Sequence, residues 1–496
     1  MSISYDSAQQ INSSRELFRL GTTSLSTVPA HPFWWPNSWS ADTRFEGTPQ
    51  LAVEYNTDFL QSAKNIAQRI EAVQKQNARG VYWHPETEQI ETAITVSAAN
   101  TIFRWSTETI LFLVQLAQIT KDPQYLHSAS WGADYLIAGW GDLVNEPGWN
   151  LSSEAGLNLS LYGGVAGVAF VLNETGKASG EKRYCEVART ITDDIVRAAK
   201  TVSAGLAWSS APGIAGDGNL VLFLLYAARE FQSSLYQITA ERAGDHILEL
   251  ATNERHGGFS WVGFPALPGL TKYTFLPRFE DGTAGIAYVF ARLYSETNKS
   301  RYLFAANQAA LHLQNITTMN RPADHVLGLP KIHNSGAFHG TVGTAHAFFQ
   351  LFTITREPNY QAWAEQLAQV QQRSDLESLA SGDWNTVSHY RGMAAFIDLV
   401  LEMWAYTGRQ EILTSAQRAA RDLLSRETNL SSGMISNFQA RTYNNPMETN
   451  VESDGFFAVL GMGSALLHIH LAEKGKHCNI PFPDFGYLQD ATNYVL

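Results

Sequence analysis

Residues 335–349 read SGAFHGTVGTAHAFF. A histidine, His339, precedes two glycines three apart, Gly340 and Gly343, and a solidly apolar run follows. Glycine costs a helix interior about 1 kcal/mol relative to alanine, so two at the head of an apolar run need a reason. The pattern recurs in YGGVAGVAFVL with Gly164 and Gly167, in PGIAGDGNLVLFLLYAA with Gly213 and Gly216, and in DGTAGIAYVFARLY with Gly282 and Gly285. Looser copies start at Gly392 and Gly461, and a segment from Asn100 has the apolar length without the glycines. Recurrence of one unit along a chain is the signature of a repeat architecture.

Each copy but the last has a second half. A polar turn, often a tyrosine, then an amphipathic segment follow the apolar run, as in SGEKRYCEVARTITDDI and TNKSRYLFAANQAALHL. Apolar residues there recur at three and four, the helical period. Each repeat therefore reads as a helical hairpin, its first helix apolar nearly all round and buried, its second carrying one polar face. The glycine starts lie 49 to 69 residues apart. A helical pair needs only about 30–40, so the remainder is loop. The spacing predicts an all-α fold, an α/α toroid of about seven hairpins with an inner and an outer ring of helices. Glycine at the inner starts lets backbones crowd together. It is also expected to leave helix N–H groups aimed at a central cavity, favouring negative charge there.

The totals bound the rest. The chain has 496 residues and a formal net charge of -12, which argues against nucleic acid as a partner. No run approaches the ~20 apolar residues of a membrane span, and the first residues do not read as a secretory leader. Two cysteines, Cys185 and Cys478, make no disulfide framework, and a cytoplasmic protein is expected. The expected organisation is an N-terminal arm over 1–60 and a single domain over 61–496.

The repeated G-x-[AV]-G starts resemble those of the lanthionine synthetase C-like (LanC-like) family, from about Gly80–Trp83 to the last helix. The resemblance implies an α/α toroid. In the lanthipeptide cyclases of that family, a zinc ion held by two cysteines and a histidine activates a cysteine thiol for addition to a dehydrated serine or threonine. The motif W-C-Y-G corresponds here to Phe279-Glu280-Asp281-Gly282, and C-H-G to Phe338-His339-Gly340. Glu280 and Phe338 thus stand where the resemblance places cysteines, His339 where it places the histidine, and Pro212 where it places a further histidine. The usual zinc site cannot form; whether another metal or a cofactor binds is left open by the sequence. The resemblance implies a zinc-independent, cyclase-like enzyme of natural product biosynthesis, with a peptide substrate and a dehydratase or kinase-like modifying enzyme as partner.

Read without the resemblance, the inner-helix starts collect polar residues at one end of the ring. The candidates for chemistry are His339, Glu280, Asp281 and Arg278, with His389, Tyr390 and Arg391 from SHYRG; Asp217, Glu108 and Asp454 belong to the same end. His339 suits a base, Glu280 or Asp281 a partner carboxylate, and Arg278 an enolate stabiliser. The structural alternatives are an N-cap for Asp281 and an ion pair with Arg278 for Glu280. Two other classes fit the same residues: a carbohydrate-active toroid with paired carboxylates, and a non-catalytic peptide-binding scaffold.

Overall fold

The computed structural model describes residues 58–83, 96–145, 151, 157–161, 163–262, 278–319, 341–381, 393–427 and 451–476. The chain divides into two units, Met1–Ser40, which lies outside the described residues, and Ala41–Leu496, to which everything below belongs.

After a first helix, α1 (Phe59–Ala72), the described helices come in pairs. They are α2 and α3 (Val96–Thr120, Pro123–Val144), α4 and α5 (Val165–Ser179, Lys182–Ala198), α6 and α7 (Asp217–Glu230, Ser234–Glu249), and α8 and α9 (Thr283–Thr297, Ser300–Met319). Then come α10 and α11 (Thr341–Thr355, Pro358–Ser381), α12 and α13 (Met393–Thr407, Gln410–Glu427), and α14 (Val451–Glu473). The even-numbered helices pack against one another in sequence, and α14 packs back on α2, so they form a closed inner ring. The odd-numbered helices cover them as an outer ring, each against its own partner. The fold is an α/α toroid.

Burial follows the composition of each helix. In α4 every residue from Val165 to Gly176 is buried, whereas α5 buries Tyr184, Ala188, Ile191, Thr192 and Ile195, a single stripe at helical spacing. The seventh hairpin has an unexpected origin. Its outer helix is α1, whose Phe59, Ala63, Ile66, Ala67 and Ile70 form the apolar stripe of a helix packed on α14. The two ends of the ring are therefore joined by one hairpin made of both. Asp58 starts α1 by accepting from Gln61 N at 2.9 Å.

Each inner helix stops at a residue in the left-handed region: Lys121, Gly180, Gln232, Asn298, Arg356, Gly408 and Gly475. This is the backbone twist that ends a helix and releases the chain into a short turn. The outer ring has its own repeated contact. Tyr184, Tyr236, Tyr302 and Tyr360 donate their hydroxyls to Asp134 (3.0 Å), Asp193 (2.6 Å), Asp245 (2.9 Å) and Asn307 (3.0 Å), each on the preceding outer helix. The tyrosines seen after the polar turns are thus latches between hairpins.

Among the described residues, three two-stranded antiparallel ribbons carry the chain on from outer helices: β1/β2 (Lys75–Asn77, Gly80–Tyr82), β3/β4 (Lys200–Thr201, Leu206–Ala207) and β5/β6 (Thr252–Asn253, Phe259–Ser260). Each second strand lies in a G-x-x-W run, Gly80–Trp83, Gly205–Trp208 and Gly258–Trp261. Trp208 and Trp261 donate their indole N–H to Ile195 O (2.7 Å) and Ile247 O (2.8 Å) of the outer helix just left. The G-x-x-W run is a second recurring motif, beside the G-x-x-G starts. Among the described residues no helix is long and apolar enough to cross a membrane.

Candidate functional site at the inner-helix starts

At three of the starts the second glycine makes room for the chain arriving at it. A Cβ on Gly167, Gly216 or Gly285 would run into the carbonyl of Leu161, Ala211 or Phe279. The incoming loop is laid across the first helical turn, and only glycine leaves space for its backbone. The helices do not all begin at the first glycine. In the third copy α6 begins at Asp217, because Gly213 O accepts from both Gly216 N and Gly218 N and the first turn is irregular. In the last, Gly461 and Gly463 lie inside α14, and Gly463 allows the Phe112 ring of α2 to pack against it.

One expectation is corrected here. The N–H groups that head α4 are not aimed at a cavity. Val165, Ala166 and Gly167 donate to Asn158 O, Leu159 O and Ser160 O at 2.9, 3.2 and 3.3 Å. Asp217 N likewise donates to Ala211 O at 2.8 Å. The same overlay of loop on helix that requires glycine supplies the acceptors, so these donors are spent within the fold.

Adjacent starts are stitched together. Asn219 of α6 accepts from Leu161 N, in the loop before α4, at 2.9 Å, and donates to Ile214 O at 2.9 Å and Gly216 O at 2.6 Å. Ala215 N then donates to Glu280 O, in the loop before α8, at 2.7 Å. Three consecutive helix starts therefore sit at one end of the ring, linked by the Asn219 side chain and by a backbone hydrogen bond. Asp217 stands among them, accepting from Trp208 N, Ser209 N and Ser209 Oγ at 3.1, 2.9 and 2.8 Å. Burial nonetheless pushes its carboxyl up to about 6, because desolvation outweighs the three donors.

The loop before α8 holds three of the candidates. Arg278 Nε donates to Asp281 Oδ1 at 3.0 Å, and its Nη2 donates to Asp281 Oδ2. This two-point clamp compensates the guanidinium, which is still 22% exposed, against a nearly buried carboxylate. Asp281 is therefore not an N-cap; Gly282 occupies that position without a side-chain bond. The Arg278 pairing falls to Asp281 rather than Glu280, three residues being a better reach for the fork than two. Glu280 stands between them with its carbonyl tied to Ala215. Below the loop, Phe279 is buried against Tyr288 (ring centroids 5.5 Å) and stacks on His346 (6.1 Å, 15°). His346 Nε2 in turn lies 3.0 Å from Glu402 Oε2. Neither His346 nor Glu402 was singled out from sequence, since each sits inside an apolar run; the signal available was a charged residue in a helix otherwise apolar all round.

His339, His389, Tyr390 and Arg391 lie outside the described residues, as does Cys478. Cys185 is on α5, away from the helix starts, where burial pushes its thiol up and its Sγ donates to Asn173 O at 3.8 Å. It is a packed thiol rather than a nucleophile. Among the described residues no group of three histidines, cysteines or carboxylates is placed to hold a metal ion.

These features define a class: an α/α toroid whose inner-helix starts gather charged side chains at one end. The family model for lanthionine synthetase C-like proteins matches residues 156–387, so this stretch of the chain is similar to that family, with Glu280 at a motif position of the resemblance. Similar solved structures include nisin cyclase, at 12% identity and a TM-score of 0.48, covering 82% of this chain and 97% of that one. An α-1,6-mannanase of Salegentibacter sp. HEL1_6 is similar at 15% identity and a TM-score of 0.40, covering 64% and 88%. A family 76 glycoside hydrolase (mannosidase) of Bacteroides thetaiotaomicron is similar at 11% identity and a TM-score of 0.41, covering 85% and 100%. No curated protein matches the chain.

Proposed function

We propose that this protein acts on peptides carrying dehydrated serine or threonine, promoting addition of a cysteine thiol to the alkene without the usual zinc site. The observation that carries the reading is the family match, which spans four glycine-led starts and both motif positions, Glu280 and His339. The donor set does not fit the cyclase zinc: a carboxylate and a phenylalanine stand where two thiolates would be needed. No step is therefore routed through a metal.

In this reading His339 is the base. An imidazole is far better matched to a thiol near neutral pH than a carboxylate is. Glu280 is its partner, orienting the ring and compensating the proton it takes. The thiolate adds to the β-carbon, the electron pair moves to the amide as an enolate, and the proton returns at the α-carbon. Arg278, held by Asp281, lies on the same loop and contributes a partly compensated positive charge toward that enolate. His389, Tyr390 and Arg391 are proposed to complete the mouth. The peptide would be supplied by a dehydratase or kinase-like enzyme. A reducing, cytoplasmic setting suits a reaction that needs a free thiol.

The test is a synthetic peptide with one dehydroalanine and one downstream cysteine, with free thiol followed by alkylation and mass. Thiol loss above the protein-free rate, abolished by His339→Ala and lowered by Glu280→Gln, is expected. Loss at the background rate, with or without stoichiometric peptide binding, sinks the enzyme reading; binding without turnover would mark a scaffold.

A further inference from the structure

We propose that His346 and Glu402 are positioning residues for the Phe279–Asp281 loop, a pair set inside the ring to fix where Glu280 stands. The inference rests on the preceding reading only in taking Glu280 to be a working group. The loop is held on three other sides. Arg278 and Asp281 clamp its ends, Ala215 N ties Glu280 O at 2.7 Å, and Gly285 admits Phe279 O. From below, its contact is aromatic: Phe279 lies nearly parallel to the His346 imidazole, and Tyr288 of α8 completes the cluster at 4.7 Å from that ring.

What makes this more than packing is the choice of residue. A phenylalanine at position 346 would stack as well and would demand nothing further. With histidine here, α12 supplies a carboxylate to the buried interior: Glu402, 1% exposed, stands 3.0 Å from Nε2. A buried carboxylate is costly without a nearby counter-group, so Glu402 draws the imidazole toward α12 in a way apolar contact cannot. The imidazole stacks on Phe279, and Phe279 is the residue next to Glu280. The line runs from α12 through α10 to the loop before α8, so three successive repeats act on one side chain. A reacting group held by a locked supporting shell is what precise placement requires.

The test uses the full chain with His346→Ala and, as an isosteric variant that keeps the shape, Glu402→Gln. The direct readout is hydrogen exchange at the Ala215 amide, which reports the position of Glu280 O. It is expected to speed up about ten-fold or more in either variant while amides of α4, on the far side of the start, keep their protection. With a dehydroalanine peptide, kcat is expected to fall with KM little changed. Unchanged exchange at Ala215 in a folded variant overturns the proposal. So does a uniform rise across all inner helices, which marks loss of stability alone. If the wild-type protein shows no turnover, the proposed function falls, and the exchange measurement still decides the positioning role.

Discussion

Two arcs of the inner ring solve the same problem differently. Along α4, α6 and α8 the polar contacts between neighbours lie toward the helix ends and run from buried Glu174 and Tyr226 out to the part-exposed Lys177, Glu230, Arg229 and Glu296. Glu174 accepts from Tyr226 at 2.6 Å and from Lys177 at 3.0 Å, Lys177 donates also to Glu230 at 2.9 Å, and Arg229 to Glu296 at 2.8 Å. Along α10, α12 and α14 the contacts are buried pairs of histidine and carboxylate. His346 meets Glu402 at 3.0 Å, and His468 Nδ1 meets Asp398 Oδ1 at 2.7 Å, its Nε2 lying 3.2 Å from Gln115 of α2. Asp398 and Glu402 are one turn apart on α12, so that helix is held from both sides. Repeats with the same start and the same stop therefore differ in how deep their charges lie. Depth decides the energetics, because water screens the outer ion pairs of the first arc and not the histidine–carboxylate pairs of the second.

The comparison can be broken at its strongest point. Asp398→Ala leaves His468 buried opposite an empty site, and is expected to cost about 3–5 kcal/mol in denaturant unfolding. A cost no larger than that of a surface pair would mean the two arcs are equivalent. The next effect is in pH. Asp217, on the first arc, has a folded carboxyl raised to about 6 against 3.8 unfolded. The folded state then binds its proton more tightly, so its contribution to stability is present below pH 4 and lost as pH rises toward 6. Asp217→Asn should flatten that part of the stability profile, and an unchanged profile would show that Asp217 does not carry it. Tyr226→Phe removes a donor from buried Glu174, with about 1–3 kcal/mol expected from the lost hydrogen bond. Arg229→Ala, at a pair 32% and 19% exposed, should cost at most about 1 kcal/mol and less in high salt.

Much of the fold was legible because its signals are local. Gly164, Gly213, Gly282 and Gly340 mark the head of each apolar run, and the periodicity of the second halves separates outer from inner helices. The tyrosines Tyr184, Tyr302 and Tyr360 were visible as a recurring feature, though not as latches, since each finds its acceptor on another hairpin. The N–H groups at the helix heads were read as open to a cavity because nothing in a helix start announces that a loop will lie across it. At the candidate site, Arg278, Glu280 and Asp281 were found as a set; which acid the arginine takes depended on how the loop turns. His346 and Glu402 were missed because each looks, in its own run, like a single polar interruption. Their meaning lies in their being opposite one another.

By itself the sequence determined the repeat, the hairpin in each repeat, the buried and exposed helices, and the glycine needed at each crowded start. These follow from short-range sterics and from the three-to-four spacing of apolar residues. Tertiary structure alone decided that α1 from one end of the chain serves as the outer helix of α14 from the other and so closes the ring, and which charges meet in the interior. Ring closure is a contact between segments separated by nearly the whole domain. An amphipathic stripe such as Phe59, Ala63, Ile66 and Ile70 states that a partner is required without naming which one. Likewise a buried acid states only that a counter-group is needed, and the packing of neighbouring helices supplies it.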